Sequence, residues 1–218
     1  MSRTGLDTDR FDLLVDESDE RPQPHLHLHH PADKVVDVAK ATLAVADLLD
    51  ALGVDRSTDG LADTPARVAR AFAEMLTPEP FDVTTFPNDE GYDELVVARA
   101  IPFASLCEHH LLPFSGFAYV GYLPDERLVG LSKLARVVNH FSRRLQVQER
   151  LTAQVANFLQ ATLQPKGVGV VLEAEHLCMS LRGVRAEGSR TVTSALKGIV
   201  RDDPRTRSEF LALAGTSG

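Results

Sequence analysis

Cysteine is almost absent: the 218 residues hold Cys107 and Cys178 and no others. Two thiols cannot build a disulfide framework, and a chain with 44% hydrophobic residues has material for a core without one. Also missing is any uninterrupted apolar run near the ~20 residues that cross a bilayer, which excludes a membrane-spanning helix. The segment from Met1 to Arg10 carries Asp7 and Asp9 and lacks the apolar stretch of a signal peptide. A cytoplasmic, reducing location is the expectation, and there the two cysteines are expected as metal ligands or thiols rather than as a pair. Bases are scarce through residue 129: residues 1–30 hold seven acids against three arginines, and residues 31–129 hold seventeen acids against seven bases. Residues 130–218 reverse the sign, with thirteen bases against seven acids. A net charge of −8 with one basic third offers no extended basic surface for nucleic acid, yet it suits a small polyanion such as a nucleotide, where a few converging cations suffice.

What is present divides at about residue 32. Residues 1–31 combine clustered acids, Arg21-Pro-Gln-Pro24 and the tract His25-Leu-His-Leu-His-His30, with no apolar periodicity. They are expected to form a disordered acidic, His-rich tail, and residues 32–218 the folded domain. Val35, Val36, Ala39, Leu43, Ala46 and Leu49 recur every three or four residues and predict a helix that Gly53 ends. Asp63-Thr64-Pro65 supplies a cap and a first-turn proline for a second helix through Val68, Ala71, Phe72, Met75 and Leu76, so that residues 33–77 form amino-terminal helices. Residues 94–101 predict a strand that Pro102 ends, and Ser115 to Leu123 predict its partner, closed by the turn Pro124-Asp125. Helices follow over about 132–144 and 148–163, then strands over Val168 to Met179 and from Arg190, and a last helix over Pro204 to Ala214. Two helices, a strand pair, two helices and a second strand pair describe an α+β fold.

Two segments carry ligand chemistry. Cys107-Glu108-His109-His110 presents a thiol and an imidazole at the short spacing that lets one turn of loop offer both to an ion. His176 and Cys178 stand two apart on an expected strand, which predicts that they project from one face. Outside the tail, every histidine except His140 lies in these two segments. Two cysteines and one histidine would leave a fourth position open for water, the catalytic arrangement, and a second histidine would close the site. Spacing leaves open which of His109, His110 and His176 stands off the metal. A second constellation is basic: Gly130-Leu-Ser-Lys133 opens a helix, Arg136 follows one turn on, and Arg182 and Arg185 come after Cys178. Taken singly, each of these cations reads as a solvated surface charge. So does Gln148-Glu149-Arg150 at the start of the next helix, where an acid suits the helix dipole.

Leu106-Cys-Glu-His-His-Leu-Leu-Pro-Phe114, Val129-Gly-Leu-Ser-Lys133, Leu145-Gln-Val-Gln-Glu-Arg-Leu-Thr152, His176-Leu-Cys-Met179 and Arg190-Thr-Val-Thr-Ser194 together resemble the GTP cyclohydrolase I family over about residues 33–214. The resemblance implies the tunnelling fold over about 92–214, a four-stranded antiparallel sheet with two helices inserted in its middle. It also implies subunits closing into a barrel within a homodecamer of two pentamers, with active sites at subunit boundaries. Under it Cys107, His110 and Cys178 are zinc ligands and His109 and His176 are catalytic. Gln148 and Glu149 hold the guanine edge, and Ser132, Lys133, Arg136 and Arg182 bind triphosphate and ribose. The activity implied is hydrolytic opening of the GTP imidazole ring, loss of C8 as formate and closure to 7,8-dihydroneopterin triphosphate, the first step of pterin and folate synthesis. A nitrile oxidoreductase of queuosine synthesis would need no zinc, which the Cys-Glu-His-His loop argues against. A zinc-stabilised interaction module would need a fourth protein ligand, and a metal-independent nucleotide binder would be indifferent to chelation.

Overall fold

The computed structural model of the chain describes residues 36–215 and the backbone of Leu26–His27. The expected disordered tail lies outside the described residues apart from Leu26–His27, whose backbone pairs with Asp82–Val83. Helix α1 (Val38–Ala51) starts at Asp37, whose carboxylate accepts from the Lys40 amide at 2.9 Å, and Gly53 follows it at φ +73°. Helix α2 (Thr64–Leu76) places Pro65 in its first turn as expected. Asp63 occupies its N-cap position without a capping bond and lies 3.8 Å from Arg67 instead. These helices pack on one another, and α1 buries no residue within the chain. Leu43, a member of its apolar stripe, stays 68% exposed.

The main sheet is built from β1 (Val96–Cys107), β2 (Pro113–Leu123), β3 (Gly167–His176) and β4 (Thr191–Gly198), antiparallel in that order. A two-residue strand, Leu145–Gln146, adds in parallel at the outer edge of β1 and makes five strands where four are expected. Strand β1 corrects the expectation that Pro102 ends it: Pro102 pairs with Phe117, and the strand runs five residues further to Cys107. Proline is tolerated because β1 has a ladder partner on one side only at that point, so its missing N–H breaks no second ladder. A bulge between Ala98 and Ile101, with Ala100 at φ +53°, resets the register just before it.

Helices α3 (Leu131–Ser142) and α4 (Gln148–Leu163) connect β2 to β3 across one sheet face. Leu134, Val137, Val138 and Phe141 of α3 and Leu151, Val155, Phe158 and Leu159 of α4 meet Phe103, Phe114, Val120, Val170 and Leu172 in one core. Burial stabilises the fold by about 1.5–3 kcal/mol for each such side chain. Val171, one residue off, points to the opposite face and joins Leu95, Val200, Phe210 and Ala214, by which helix α5 (Pro204–Ala214) is anchored. On that face Phe117 and Val192 remain exposed. Among the described residues no helix is long and apolar enough to cross a membrane.

Candidate active site

Strand β1 delivers Cys107 to the end of the sheet, and a tight turn then brings the chain back into β2. The Cys107 carbonyl accepts from the Leu111 amide at 2.9 Å, and the Cys107 amide donates to Leu112 at 2.9 Å. Leu111 pays for the reversal with φ +55°. Within this turn the buried Cys107 Sγ lies 3.7 Å from His110 Nδ1 and 4.0 Å from His109 Nδ1.

The second ligand segment departs from expectation. Strand β3 stops at His176, and Leu177–Ser180 forms a helical turn, so His176 and Cys178 do not share a strand face. At strand spacing the thiol would follow the His176 ring; the helical turn rotates it away from that ring. The ligand atoms of Cys107, His110 and Cys178 then lie within 4.8 Å of one another. Burial pushes the Cys178 thiol up, and the neighbouring Cys107 thiol adds to this, while Arg182 opposes it. Two adjacent sulfurs with an imidazole beside them are the donor set of a borderline-soft divalent ion. Zinc bonds of ~2.3 Å to sulfur and ~2.0–2.1 Å to nitrogen give tetrahedral edges of about 3.5–3.8 Å. The Cys107–His110 separation of 3.7 Å matches such an edge, and with Cys178 inside 4.8 Å of both the donor chemistry fits such an ion.

His176 is held on two sides. Its ring stacks flat on the cross-strand partner Phe114, with centroids 4.5 Å apart and planes 1° off parallel. Its Nε2 lies 2.8 Å from Gln148 Oε1. Burial lowers the His176 pKa, and the Glu149 charge opposes that. Gln148 is 1% exposed, and its Nε2 donates to the Leu172 carbonyl at 3.1 Å, the Thr191 carbonyl at 2.9 Å and Thr193 Oγ1 at 3.1 Å.

Glu149 and Arg182 are exposed beside this cluster, near enough for their charges to act on His176 and Cys178 respectively. His109 is also exposed, 3.9 Å from Glu108. Ser132, Lys133 and Arg136 stand on the first turns of α3, and no hydrogen bond or ion pair among the described residues joins them to the cluster. Arg136 lines a cavity of about 190 Å³ with Phe81, Asn139, His140 and Arg143. One connection escaped the sequence reading: Arg150 pairs with Glu108 and also donates to Gln146 Oε1 at 2.9 Å and to the Leu145 carbonyl at 3.0 Å. This pins the ligand turn to the start of α4. Both partners sit inside the quoted motifs, but each alone reads as a solvated charge.

Comparison with known proteins bears on the same segments. The family profile described as GTP cyclohydrolase I matches residues 41–215. A protein named GTP cyclohydrolase 1 from Aquifex aeolicus is 52% identical over 178 residues, covering 82% of this chain and 97% of the relative. One of the same name from Mycobacteroides abscessus is 52% identical over 189 residues, covering 84% of this chain and 93% of the relative. A crystal structure of the archaeosine synthase QueF-Like in the apo form superposes with a TM-score of 0.37 at 18% identity, over 48% of this chain and 93% of that one, too little to bear on the fold.

Proposed function

The chain belongs to the GTP cyclohydrolase I family, and from that premise we propose that it opens the imidazole ring of GTP by hydrolysis, releases C8 as formate and closes the product to 7,8-dihydroneopterin triphosphate. The observation that carries the proposal is the meeting of Cys107, His110 and Cys178 within 4.8 Å, from segments that lie far apart in the chain. These three would hold zinc and leave a position open to solvent. The ion, when bound, supplies a Lewis acid that lowers the pKa of water.

The chain's own residues do the rest. Burial lowers the His176 pKa and so favours its neutral ring, which can accept a proton from the attacking water and return it to N7 as the ring opens. His109, exposed at the same turn, moves a proton at the ribose ring oxygen in the later rearrangement. Glu149 accepts from the guanine edge, a charge-assisted pair that a carboxylate makes well. The motif resemblance implies the same edge for Gln148. Ser132, Lys133, Arg136 and Arg182 bind triphosphate and ribose.

The tunnelling fold and a homodecamer of two pentamers, with sites at subunit boundaries, belong to the same proposal. Support comes from the exposed apolar residues Leu43 and Leu48 of α1, Leu52 just after it, and Phe117 and Val192 of the sheet, surface that another subunit would cover. A cytoplasmic enzyme at the first step of pterin and folate synthesis is the corresponding setting. Incubation with GTP, following pteridine absorbance and formate with and without a chelator, tests the reading. Formate release that chelation abolishes is expected. Formate release that survives metal removal would refute the zinc assignment, and none under any condition would refute the reaction.

A further inference from the structure

The geometry points to Gln148 as a positioning residue that holds the His176 ring from behind, rather than as a reader of the substrate. This deepens the function proposed above and rests on it. Gln148 is 1% exposed, and every polar atom of its side chain is engaged by the protein. The direction of the amide follows from its partners. The backbone carbonyls of Leu172 and Thr191 can only accept, so the nitrogen of the amide must face them at 3.1 and 2.9 Å. The oxygen therefore faces His176, and an amide oxygen can only accept. His176 must then donate from Nε2, across 2.8 Å. Its Nδ1 is left as the nitrogen that meets the reaction.

The anchoring extends two residues further. Thr152 Oγ1 lies 2.7 Å from its own helix's Gln148 carbonyl and 2.7 Å from Thr193 Oγ1. Thr152 donates to the Gln148 carbonyl and Thr193 donates to Thr152, so Thr193 Oγ1 is an acceptor that shares the two Gln148 Nε2 hydrogens with the Leu172 and Thr191 carbonyls. Thr152 and Thr193 stand in two of the motif segments and otherwise have no part in the site. Together with the flat stack on Phe114, they leave the imidazole neither free to turn over nor free to exchange tautomers. A Gln148 turned towards guanine would abandon the buried Leu172 carbonyl and the half-buried Thr191 carbonyl, a cost a solvated substrate contact does not return.

The test uses the zinc-loaded full chain and separates turnover from binding. In Gln148→Met, kcat is expected to fall on the order of 10²-fold, with KM for GTP and zinc content held within a few-fold. In a His176→Ala background, which stops turnover, adding Gln148→Met is expected to leave the dissociation constant for GTP, read by calorimetry, within about two-fold. Thr193→Val removes one anchor and leaves both Gln148 and His176 in place. It carries the same test if Gln148→Met does not fold: kcat falls and KM stays. A tenfold weakening of GTP binding in the double variant overturns the inference, because it makes Gln148 a substrate reader. Unchanged kcat in Gln148→Met, or in Thr193→Val if that variant carries the test, overturns it as well. Either result leaves the reaction itself standing if the wild-type chain releases formate. Absence of formate from the wild type overturns the reaction, and this inference with it.

Discussion

Gly169→Ala tests how the outer sheet face is packed. Gly121 and Gly169 are register partners on β2 and β3, and the Phe210 ring of α5 lies over both. A Cβ at Gly169 would stand 2.5 to 2.7 Å from three atoms of that ring, and one at Gly121 would stand 3.0 and 3.1 Å from two. Ordinary contact between such carbons lies near 3.5–4 Å, so the ring would have to retreat by about an ångström. Phe210 is fully buried and is one of only two buried residues of α5, so the ring cannot retreat without moving the helix. Overpacking of this kind costs about 1–3 kcal/mol. For a chain of this size that corresponds to a fall in Tm of roughly 2–12 °C. The backbone at Gly169 lies outside the left-handed region, so alanine adds no strain of its own. Thermal and urea unfolding of Gly169→Ala, Phe210→Leu and the double variant form the assay. The glycine substitution is expected to cost less beside Phe210→Leu, with a coupling of about 0.5–3 kcal/mol. A Gly169→Ala chain as stable as the wild type, or a penalty unchanged beside Phe210→Leu, would refute the reasoning.

Further expectations concern the site and the last helix. Cys178→Ala is expected to lose bound zinc on gel filtration while keeping its circular dichroism; a variant that retains one equivalent of metal would remove Cys178 from the ligand set. His176→Ala is expected to lose about 10²–10⁴-fold in formate release; His109→Ala is expected to slow formation of the pteridine more than release of formate, and normal turnover by either would cancel its role. Asp203 caps α5, and its carboxyl is held below the usual value by the Thr206 hydroxyl and by the Thr206 amide. A depressed carboxyl stabilises above its unfolded pKa of about 3.9 and loses that contribution as pH falls through the folded value. Asp203→Asn should therefore unfold with a shallower acid dependence between those values, and an unchanged acid limb would sink the claim.

The helices of the domain were legible because their apolar residues repeat locally. The buried Leu134, Val137, Val138 and Phe141 of α3 and Leu151, Val155, Phe158 and Leu159 of α4 keep helical spacing, since a stripe that must meet a sheet announces itself every third or fourth position. The stripe of α1 was legible too, but its burial was not, because periodicity says a face needs covering without saying that one chain covers it. Pro102 misled for a related reason. Proline ends a strand only where its missing donor would break a ladder, and whether a ladder stands on that side is a property of the sheet.

At the site, residue chemistry by itself determined which side chains suit a soft metal and which segments carry them. Thiols and imidazoles bind such ions whatever fold surrounds them. Only the tertiary structure decided that Cys178 reaches its partners from a helical turn and that the Gln148 amide turns inward to hold His176. Only it decided that Arg150 clamps the ligand turn. These depend on carbonyls, rings and charges brought from strands and helices far apart in the chain, and local spacing holds no record of those partners.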